Sequence, residues 1–411
     1  KMKSNKSAVG LLIPKPSKNT NIIMISVLLS VPLGQLFIDI YVPAFNVLKE
    51  SFSTSAALIQ LSLTLYFIML GACQVVYGSL SDVLGRKKPL IFGLALGLVG
   101  SVVAKFSTNI DVFLIARIIQ GIGMAGVAGI GGAIIVDSFA SKPTELAKKN
   151  TYLSITYNLT PIIAPYIGGS LLYLLYWQAI FEFLFVYNLL VLLWIVFVFK
   201  ETNTDTTSFS IKKYVDQFKN YKIYLSNNHF WYASVIMGAF WAMTISFMSM
   251  GPFIFNNLYQ VDGYHFGILA LVLGLASFVG SVLTRLLLHF FSGTTLLVRI
   301  MLVNLMFCLI LIPVVIIFTS YFLLIIAIFF MIFLTYGAMY PNVYTVLMLL
   351  FKNNAGSALS LSVAITITFC MLVTAVCVII PKSIYALAIV ELSLSILSFI
   401  LIALIISKNK R

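Results

Sequence analysis

Apolar runs long enough to cross a membrane constrain this chain more than any other feature of its sequence. A helix that spans the hydrocarbon core needs about 20 predominantly apolar residues. Twelve such runs follow one another, at roughly residues 22–45, 57–80, 88–106, 111–137, 147–174, 178–199, 229–258, 265–290, 296–318, 321–350, 355–380 and 383–406. With 61% hydrophobic and 9% charged residues, the chain has more apolar surface than a soluble core can bury. The predicted fold class is an all-α membrane protein with twelve transmembrane helices.

The basic residues predict the orientation of these spans. If the N-terminus is cytoplasmic, 22 of the 26 Lys and Arg residues fall on the cytoplasmic side. Lys49, Lys105 and Lys382 fall outside, and Arg117 lies within a span. Cytoplasmic loops of multipass proteins carry such an excess of basic residues. We therefore expect both termini in the cytoplasm, and the net charge of +14 needs no nucleic-acid partner to explain it.

One long loop predicts how the chain is divided. The expected segments are a cytoplasmic N-terminal tail (1–21), an N-terminal six-helix half (22–199), a cytoplasmic central loop (200–228), a C-terminal six-helix half (229–406) and a cytoplasmic tail (407–411). In the central loop, Tyr214, Val215, Phe218 and Leu225 follow helical spacing among lysines. This spacing favours an amphipathic helix on the anionic inner leaflet, and a solvated linker is the alternative.

The two halves resemble each other where their second spans end. Gly78–Asp82 and Gly280–Thr284 begin with the same Gly-Ser pair, although the second copy has Thr284 in place of the acid. Two related six-span halves around a cavity at the bilayer midplane are a transporter architecture. The repeat therefore predicts two pseudosymmetric halves.

Four charged residues lie inside apolar spans: Asp39, Arg117, Glu182 and Glu391. Each is a functional candidate, because a charge at the centre of a span costs about 2.5–3.5 kcal/mol on insertion scales. Asp137, at the inner end of span 4, is interpreted as a solvated helix terminus. Glu182 and Glu391 lie in the outer halves of their spans, where each is a second protonation site, a cation anchor or an acid that reaches the headgroups.

Depth links the first two charges. Asp39 precedes the outer end of span 1 by about six residues, and Arg117 follows the outer start of span 4 by about six, so both lie about 9 Å below the outer surface. Two interpretations stay open: a static ion pair that ties span 1 to span 4, or a proton-binding carboxylate whose affinity depends on Arg117. Gln35 lies one turn before Asp39 and shares its face.

Two further stretches combine small residues with unusual chemistry. Spans 2 and 3 are joined by a short connection that contains two glycines, an acid and cations: Gly78, Asp82, Gly85, Arg86 and Lys87. Span 5 contains two prolines and a glycine pair: Pro161, Pro165, Gly168 and Gly169. Prolines kink a helix and glycines permit close packing, so span 5 is predicted to be a hinge or seal near the outer surface.

Together these stretches resemble the major facilitator superfamily, and within it the twelve-span drug:proton antiporters of the bicyclomycin-resistance (Bcr/CflA) branch. The resemblance rests on Ile38–Ala44, Gly78–Leu90, Arg117–Gly121 and Ala164–Gly169. It implies that the connection between spans 2 and 3 is a conformational switch that docks on span 11. It also implies that the Arg117 stretch takes part in proton coupling and that the span 5 residues form the antiporter motif. Two departures, Val83 after Asp82 and an acid at Glu182, leave the substrate open.

The predicted function is a proton-coupled secondary transporter, a multidrug or amphiphile:H+ antiporter that works by alternating access. The alternative is a proton-coupled transporter of a small physiological solute such as an organic acid or metallophore. An enzyme is not expected, because His229, His265 and His289 lie far apart at span ends on both sides. The sequence has no nucleotide-binding loop, so the proton gradient is the expected drive, without a cofactor or metal.

The expected partners are protons, the lipid bilayer and a neutral or cationic amphipathic small molecule. Acids outnumber cations within the spans, and an anionic substrate would need a cation from the protein. Polar and aromatic residues that would line the substrate cavity are Gln35, Tyr66, Phe240, Trp241, Tyr336 and Tyr340. Aromatic residues give such a wall cation–π capacity, although each one alone is more usual in a core or facing lipid. We expect a monomer in a bacterial inner (plasma) membrane.

Overall fold

The computed structural model describes residues 20–139, 143–203, 222, 224–350 and 355–409. Its long helices, in chain order, are α1 (Thr20–Asp39), α2 (Ala56–Leu84), α3 (Lys87–Lys105), α4 (Ile110–Phe139), α5 (Pro143–Leu174), α6 (Trp177–Phe197), α7 (Asn228–Tyr259), α8 (Gly263–Leu287), α9 (Gly293–Ile317), α10 (Phe322–Leu350), α11 (Ala355–Ile379) and α12 (Ile384–Asn409). A 3-10 turn (Val42–Ala44) and a short helix (Phe45–Ser51) follow α1. Tyr214, Val215 and Phe218, on which the predicted amphipathic helix depends, lie outside the described residues.

The twelve predicted spans correspond to these twelve helices. Within the described residues, eleven helical stretches have the length and composition of a membrane span. The remaining expected span is α5, whose 32 residues extend about 48 Å at 1.5 Å per residue. Its first turns carry Glu145, Lys148 and Lys149, so they belong outside the apolar layer. The predicted all-α membrane fold is confirmed.

Each half repeats one packing pattern. In the first half α4 packs on α1, α2 and α3, and in the second half α10 packs on α7, α8 and α9. The halves meet along two long helix pairs, α2 with α11 and α5 with α8. In the two halves α2 corresponds to α8 and α5 corresponds to α11, so the two pairs are equivalent, as expected for two pseudosymmetric halves.

Small polar residues define where several helices start. The side chains of Ser55, Asn227, Asp262 and Ser292 accept hydrogen bonds from backbone N–H groups in the first turns of α2, α7, α8 and α9. Such caps satisfy donors that have no partner within the helix. These caps therefore determine the residue at which each of these long apolar helices begins.

The connection between α2 and α3 is shorter than predicted. α2 continues to Leu84, so Gly78 and Asp82 lie within the helix and only Gly85 and Arg86 separate it from α3. We call this end of the bundle the α2–α3 end, and the opposite end, where α1 leads into α2, the α1–α2 end. Gly85 has φ +82°, a conformation that residues with a Cβ rarely adopt, and it ends α2 abruptly.

The two halves are in contact at the α1–α2 end. The Asn46 side chain donates to the Pro252 carbonyl at 2.7 Å, and Gln60 donates to the Ser249 carbonyl at 2.9 Å. The rings of Phe45 and Phe253 lie 5.7 Å apart. These contacts join the short helix after α1, and α2, to α7 and close this end of the bundle.

Candidate functional site

A buried carboxyl group ends α1. Asp39 is 2% exposed, and the Gln35 amide donates to its Oδ2 at 2.6 Å. The two side chains are one turn apart on the same face, as the spacing predicts. Phe37, Ile38, Ile40 and Tyr41, all buried, surround this position along the chain. Among the described residues, Asp39 therefore has one hydrogen-bond partner, Gln35.

A buried guanidinium group on α4 lies beside it. Arg117 is fully buried, and its Nη2 donates to the Phe37 carbonyl at 2.9 Å. Its Nη1 donates to the Gln120 side chain. The guanidinium carbon lies over the rings of Tyr41 at 4.3 Å and Tyr66 at 4.6 Å from their centroids. Arg117 thus links α4 to α1 through the backbone of α1.

The structure does not pair Asp39 with Arg117. No salt bridge joins them, and Nε of Arg117 has no hydrogen-bond partner among the described residues. The predicted match in depth holds, because Arg117 contacts the carbonyl of a residue two positions before Asp39. The static ion pair is therefore absent from this state, and a buried acid and a buried cation lie near each other with separate partners.

Tyrosines connect the two charged groups. Tyr66 donates to the Gly34 carbonyl of α1 at 2.8 Å, and the hydroxyls of Tyr41 and Ser62 lie 3.0 Å apart. Both tyrosines interact electrostatically with Arg117 and Asp39. Tyr41 lies in the Ile38–Ala44 stretch that carries the family resemblance, but it was not among the predicted site residues. Its position two residues after Asp39, before Pro43, was the available signal.

The second half has a buried acid of its own. Glu391 on α12 is fully buried, and Tyr336 on α10 donates to its Oε2. Its Oε1 has no hydrogen-bond partner among the described residues. Glu391 is therefore brought together with Tyr336, a residue that the sequence placed in the cavity wall.

Glu182 is positioned differently from the other acids. Its carboxylate pairs with Lys105 at 3.1 Å, and Tyr176 donates to it at 3.1 Å. The acid and the lysine are both about one-third exposed, at 34% and 35%. The last residue of α3 therefore neutralises Glu182 at the α1–α2 end, and of the three interpretations of this acid an anchor for a cation near the end of its span agrees best with the contact.

A cluster of charges forms at the α2–α3 end around Arg86. Arg86 contacts Asp82 at 2.6 Å and Asp137 at 2.7 Å, and it also donates to Ser81. Burial lowers the pKa of the Arg86 guanidinium, but the bonds and charges of Asp137 and Asp82 outweigh it and raise that pKa above its ordinary value. Asp137 is thus an ion-pair partner of Arg86, and its interpretation as a solvated terminus is wrong.

Glu201 completes this cluster and was not predicted. Its carboxylate accepts hydrogen bonds from the backbone N–H groups of Arg86 at 2.7 Å and Lys87 at 2.9 Å. The Lys87 ammonium in turn donates to the carbonyls of Val196 and Phe199 at the end of α6. An acid is favoured at a helix N-terminus and a cation at a C-terminus. Glu201, which follows α6, therefore caps the start of α3, and Lys87 at the start of α3 caps the end of α6.

The span 5 residues contact both halves. Gly168 packs directly against the Ile40 carbonyl, and a Cβ on Gly169 would lie 2.8 Å from the Gly263 carbonyl. The Pro165 carbonyl lies against Gly267 of α8. Pro161 is half-buried and Pro165 is buried, both within the continuous helix α5. The structure thus places this segment at the contact between α1, α5 and α8, while its role as a hinge stays a prediction.

The predicted cavity residues divide into three groups. Gln35 contacts Asp39 and Tyr66 contacts Arg117, and we call these four residues the Asp39–Arg117 cluster. Phe240 packs edge-on against Tyr336, with ring centroids 5.7 Å apart. The ring centroids of Trp241 and Phe67 of α2 lie 5.7 Å apart, so this contact joins the two halves. The side chain of Tyr340 lies outside the part of the chain that the structure describes.

Comparison with known proteins gives a family match over most of the chain. The model of the Major Facilitator Superfamily matches residues 27–366. Among solved structures, the crystal structure of a D-xylose-proton symporter superposes with a TM-score of 0.74 at 15% identity, covering 92% of this chain and 97% of the other. At that identity the likeness concerns the fold alone.

Three curated relatives match shorter segments. An uncharacterized MFS-type transporter, YdgK of Bacillus subtilis, is 31% identical over 61% of this chain and 62% of its own. Multidrug resistance protein D of Escherichia coli is 29% identical over 42% and 43%. A bicyclomycin resistance protein homolog of Haemophilus influenzae is 23% identical over 64% and 67%.

The match spans about three-fifths of the length of the first of these relatives. The family model, however, covers far more than half of the chain, and the twelve helices pack as two related halves. Relatives named for multidrug and bicyclomycin resistance agree with the drug:proton antiporter branch inferred from the sequence. This chain belongs to the Major Facilitator Superfamily, a family of membrane transporters and not of enzymes, and it has the helices of a multipass membrane protein.

Proposed function

We propose that this protein is a proton-coupled antiporter that exports amphipathic compounds from the cytoplasm by alternating access. The observation that carries the proposal is the pair of buried groups Asp39 and Arg117, which lie close together without an ion pair. Intramembrane acids and cations of this kind mark proton and substrate pathways. No cofactor is required, because the proton gradient supplies the energy.

Asp39 is the proposed coupling site and Arg117 its modulator. When Asp39 carries a proton, Gln35 is a sufficient partner for it in this apolar layer. After the proton leaves, the carboxylate gains most by approaching the guanidinium of Arg117, since charges attract strongly in a low dielectric. Arg117 is bonded to the backbone of α1 at Phe37. A change in the charge of Asp39 therefore acts directly on the contact between α1 and α4.

The proposed orientation assigns the α2–α3 end to the cytoplasm of a bacterial cell, because the basic connection between α2 and α3, the start of α1 and the end of α12 belong to that end. Under this assignment the α1–α2 end is the outer end of the bundle. Contacts such as Asn46–Pro252 and Gln60–Ser249 hold the outer end closed. At the inner end the Asp82 side chain is 52% exposed.

Neutral or cationic amphiphiles are the proposed substrates. Asp39 and Glu391 are buried acids, and Arg117 is the buried intramembrane cation of the described spans, already engaged by Gln120 and two tyrosine rings. An anionic substrate would need a free cation to offset its desolvation. Relatives named for drug resistance point the same way. Proton-coupled transport of a small physiological solute on the same fold is the second candidate.

Transport into inverted membrane vesicles tests the proposal. Wild-type protein should concentrate a fluorescent amphiphilic cation when ΔpH is imposed, and Asp39→Asn should abolish this uphill transport while retaining binding in detergent. Glu182→Gln is the matched control, because that acid is partly exposed and paired with Lys105. If Asp39→Asn still concentrates substrate against its gradient, Asp39 is not the coupling site.

A further inference from the structure

Glu391 is a buried acid in the C-terminal half that has no part in the coupling site proposed at Asp39 and Arg117. It is fully buried on α12, and its Oε2 accepts a hydrogen bond from Tyr336 on α10. Oε1 has no partner among the described residues. Lys382, the basic residue that precedes α12, donates instead to the carbonyls of Val378 and Ile380.

The neighbouring polar groups are neutral. Cys308 of α9 and Cys377 of α11 interact electrostatically with Glu391. Ser395, one turn after Glu391, donates to Asn304 at 2.7 Å, and Asn304 donates to Thr335 at 2.8 Å. Ser395, Asn304 and Thr335 thus hydrogen-bond to one another, and none of them donates to Oε1 of Glu391. Among the described residues, no Lys, Arg or His forms a salt bridge with Glu391.

These contacts fit a neutral carboxylic acid better than a carboxylate. A buried carboxylate needs a cation or several hydrogen bonds to offset its loss of hydration. Glu391 has one hydrogen bond, from Tyr336, and one orphaned oxygen. The titratable groups described around it are neutral thiols and a phenol: Cys308 of α9, Tyr336 of α10 and Cys377 of α11. The titratable residues of α7, which also packs on α12, lie at the ends of that helix: His229, Tyr232 and Tyr259.

Tyr336 connects this acid to the aromatic residues of α7. Its ring packs against Phe240 with centroids 5.7 Å apart and against Phe333 at 5.2 Å, while its hydroxyl reaches Glu391. Phe240 is followed by Trp241, whose ring contacts α2 of the other half. A cation held against these rings would gain from cation–π attraction and from an acid directly behind them.

We propose that Glu391 holds a proton and that Glu391 with Tyr336 forms a second proton-exchange site, in the C-terminal half, for a lipophilic organic cation. In the exchange the O–H bond of the Glu391 carboxyl breaks, the proton passes to water, and the resulting carboxylate is neutralised by the positive charge of the substrate. No oxidation or reduction takes place. The substrate class rests on the proposed function, whereas the protonation of Glu391 does not.

Infrared spectroscopy of the purified full-length protein tests the proton without any substrate. At neutral pH, the spectrum of wild type minus Glu391→Gln should contain the C=O band of one protonated carboxyl. Tyr336→Phe should shift that band, because its hydrogen bond to Oε2 is lost. Glu182→Gln, which removes a salt-bridged acid, should leave it in place. A wild-type minus Glu391→Gln spectrum with a carboxylate band instead would overturn the proposal.

Proton release on ligand binding tests the exchange. Tetraphenylphosphonium added to weakly buffered wild-type protein should release protons, and Glu391→Gln should release fewer per bound cation. Asp39→Asn should retain the Glu391 share. Equal release from wild type and Glu391→Gln would refute the exchange even if Asp39-dependent uphill transport succeeds. If tetraphenylphosphonium does not bind while a neutral drug is exported under ΔpH, the cation site is refuted and proton-coupled export stands.

Discussion

Gly85 and Glu201 form a contact that leaves no room for a side chain. A Cβ at position 85 would lie 2.7 Å from Cδ of Glu201, and closer still to one of its carboxylate oxygens. The same carboxylate accepts from the N–H groups of Arg86 and Lys87 at the start of α3. The glycine therefore provides both the turn and the space in which Glu201 caps the helix.

Substitution of Gly85 should release this contact. Gly85 has φ +82° and ψ 168°, a region where a residue with a Cβ is strained by about 1–3 kcal/mol. Gly85→Ala should lower the unfolding temperature in detergent and reduce transport, because Glu201 must also move. Gly132→Ala is the matched control: it lies in α4 with no described atom within 4 Å of its Cβ, and alanine should stabilise it by roughly 0.5–1 kcal/mol. A Gly85→Ala variant as stable as wild type would contradict both the backbone strain at this position and the close contact with Glu201.

Arg117 should not be replaceable by lysine. Its guanidinium donates to Phe37 and Gln120 in two directions and lies over two tyrosine rings, whereas lysine is a compact charge with no planar fork. Arg117→Lys should keep the charge but should not reach both acceptors and both rings at once, and it should abolish ΔpH-driven transport in vesicles.

Arg299→Lys is the control for that substitution. Arg299 is exposed and lies 4.1 Å from the centroid of the Phe291 ring, so it has the same type of contact outside the cluster. This variant should transport at the wild-type rate. Wild-type transport by Arg117→Lys would instead mean that only the positive charge at position 117 matters.

The sequence predicts local relationships in this site better than distant ones. Gln35 and Asp39 are one helical turn apart, and depth along two spans places Arg117 beside α1, so both contacts follow from helix geometry. The separate partners of Arg117 do not follow, because they depend on the rotation of α4 against α1 and α2.

Glu201 is the clearest case of a residue that local patterns miss. It follows the last apolar turn of α6, where an acid is unremarkable, and its partners lie more than a hundred residues earlier. The pairing of Arg86 with Asp137 is missed for the same reason. Such contacts arise where several helix ends converge, and hydrophobic periodicity carries no information about which ends these are.

Gly78 and Gly280 occupy matching positions in the two halves but have different surroundings. A Cβ on Gly280 would overlap the carbonyl of Leu334, while no described atom lies within 4 Å of a Cβ on Gly78. Two turns before Gly78, on the same face of α2, a Cβ on Gly71 would lie 3.1 Å from Ile367 of α11. The resemblance to the superfamily loop implies that the end of α2 docks on α11 in the alternate state.

A large side chain at position 78 should therefore block the transport cycle and leave this state intact. Gly78→Leu should unfold at the wild-type temperature and bind tetraphenylphosphonium in detergent, but uphill transport in vesicles should be lost because α2 needs a close approach to α11. Gly280→Leu should fail to fold, since the backbone of α10 already fills that space. Transport by Gly78→Leu at the wild-type rate would mean that the α2–α3 end never closes around Gly78.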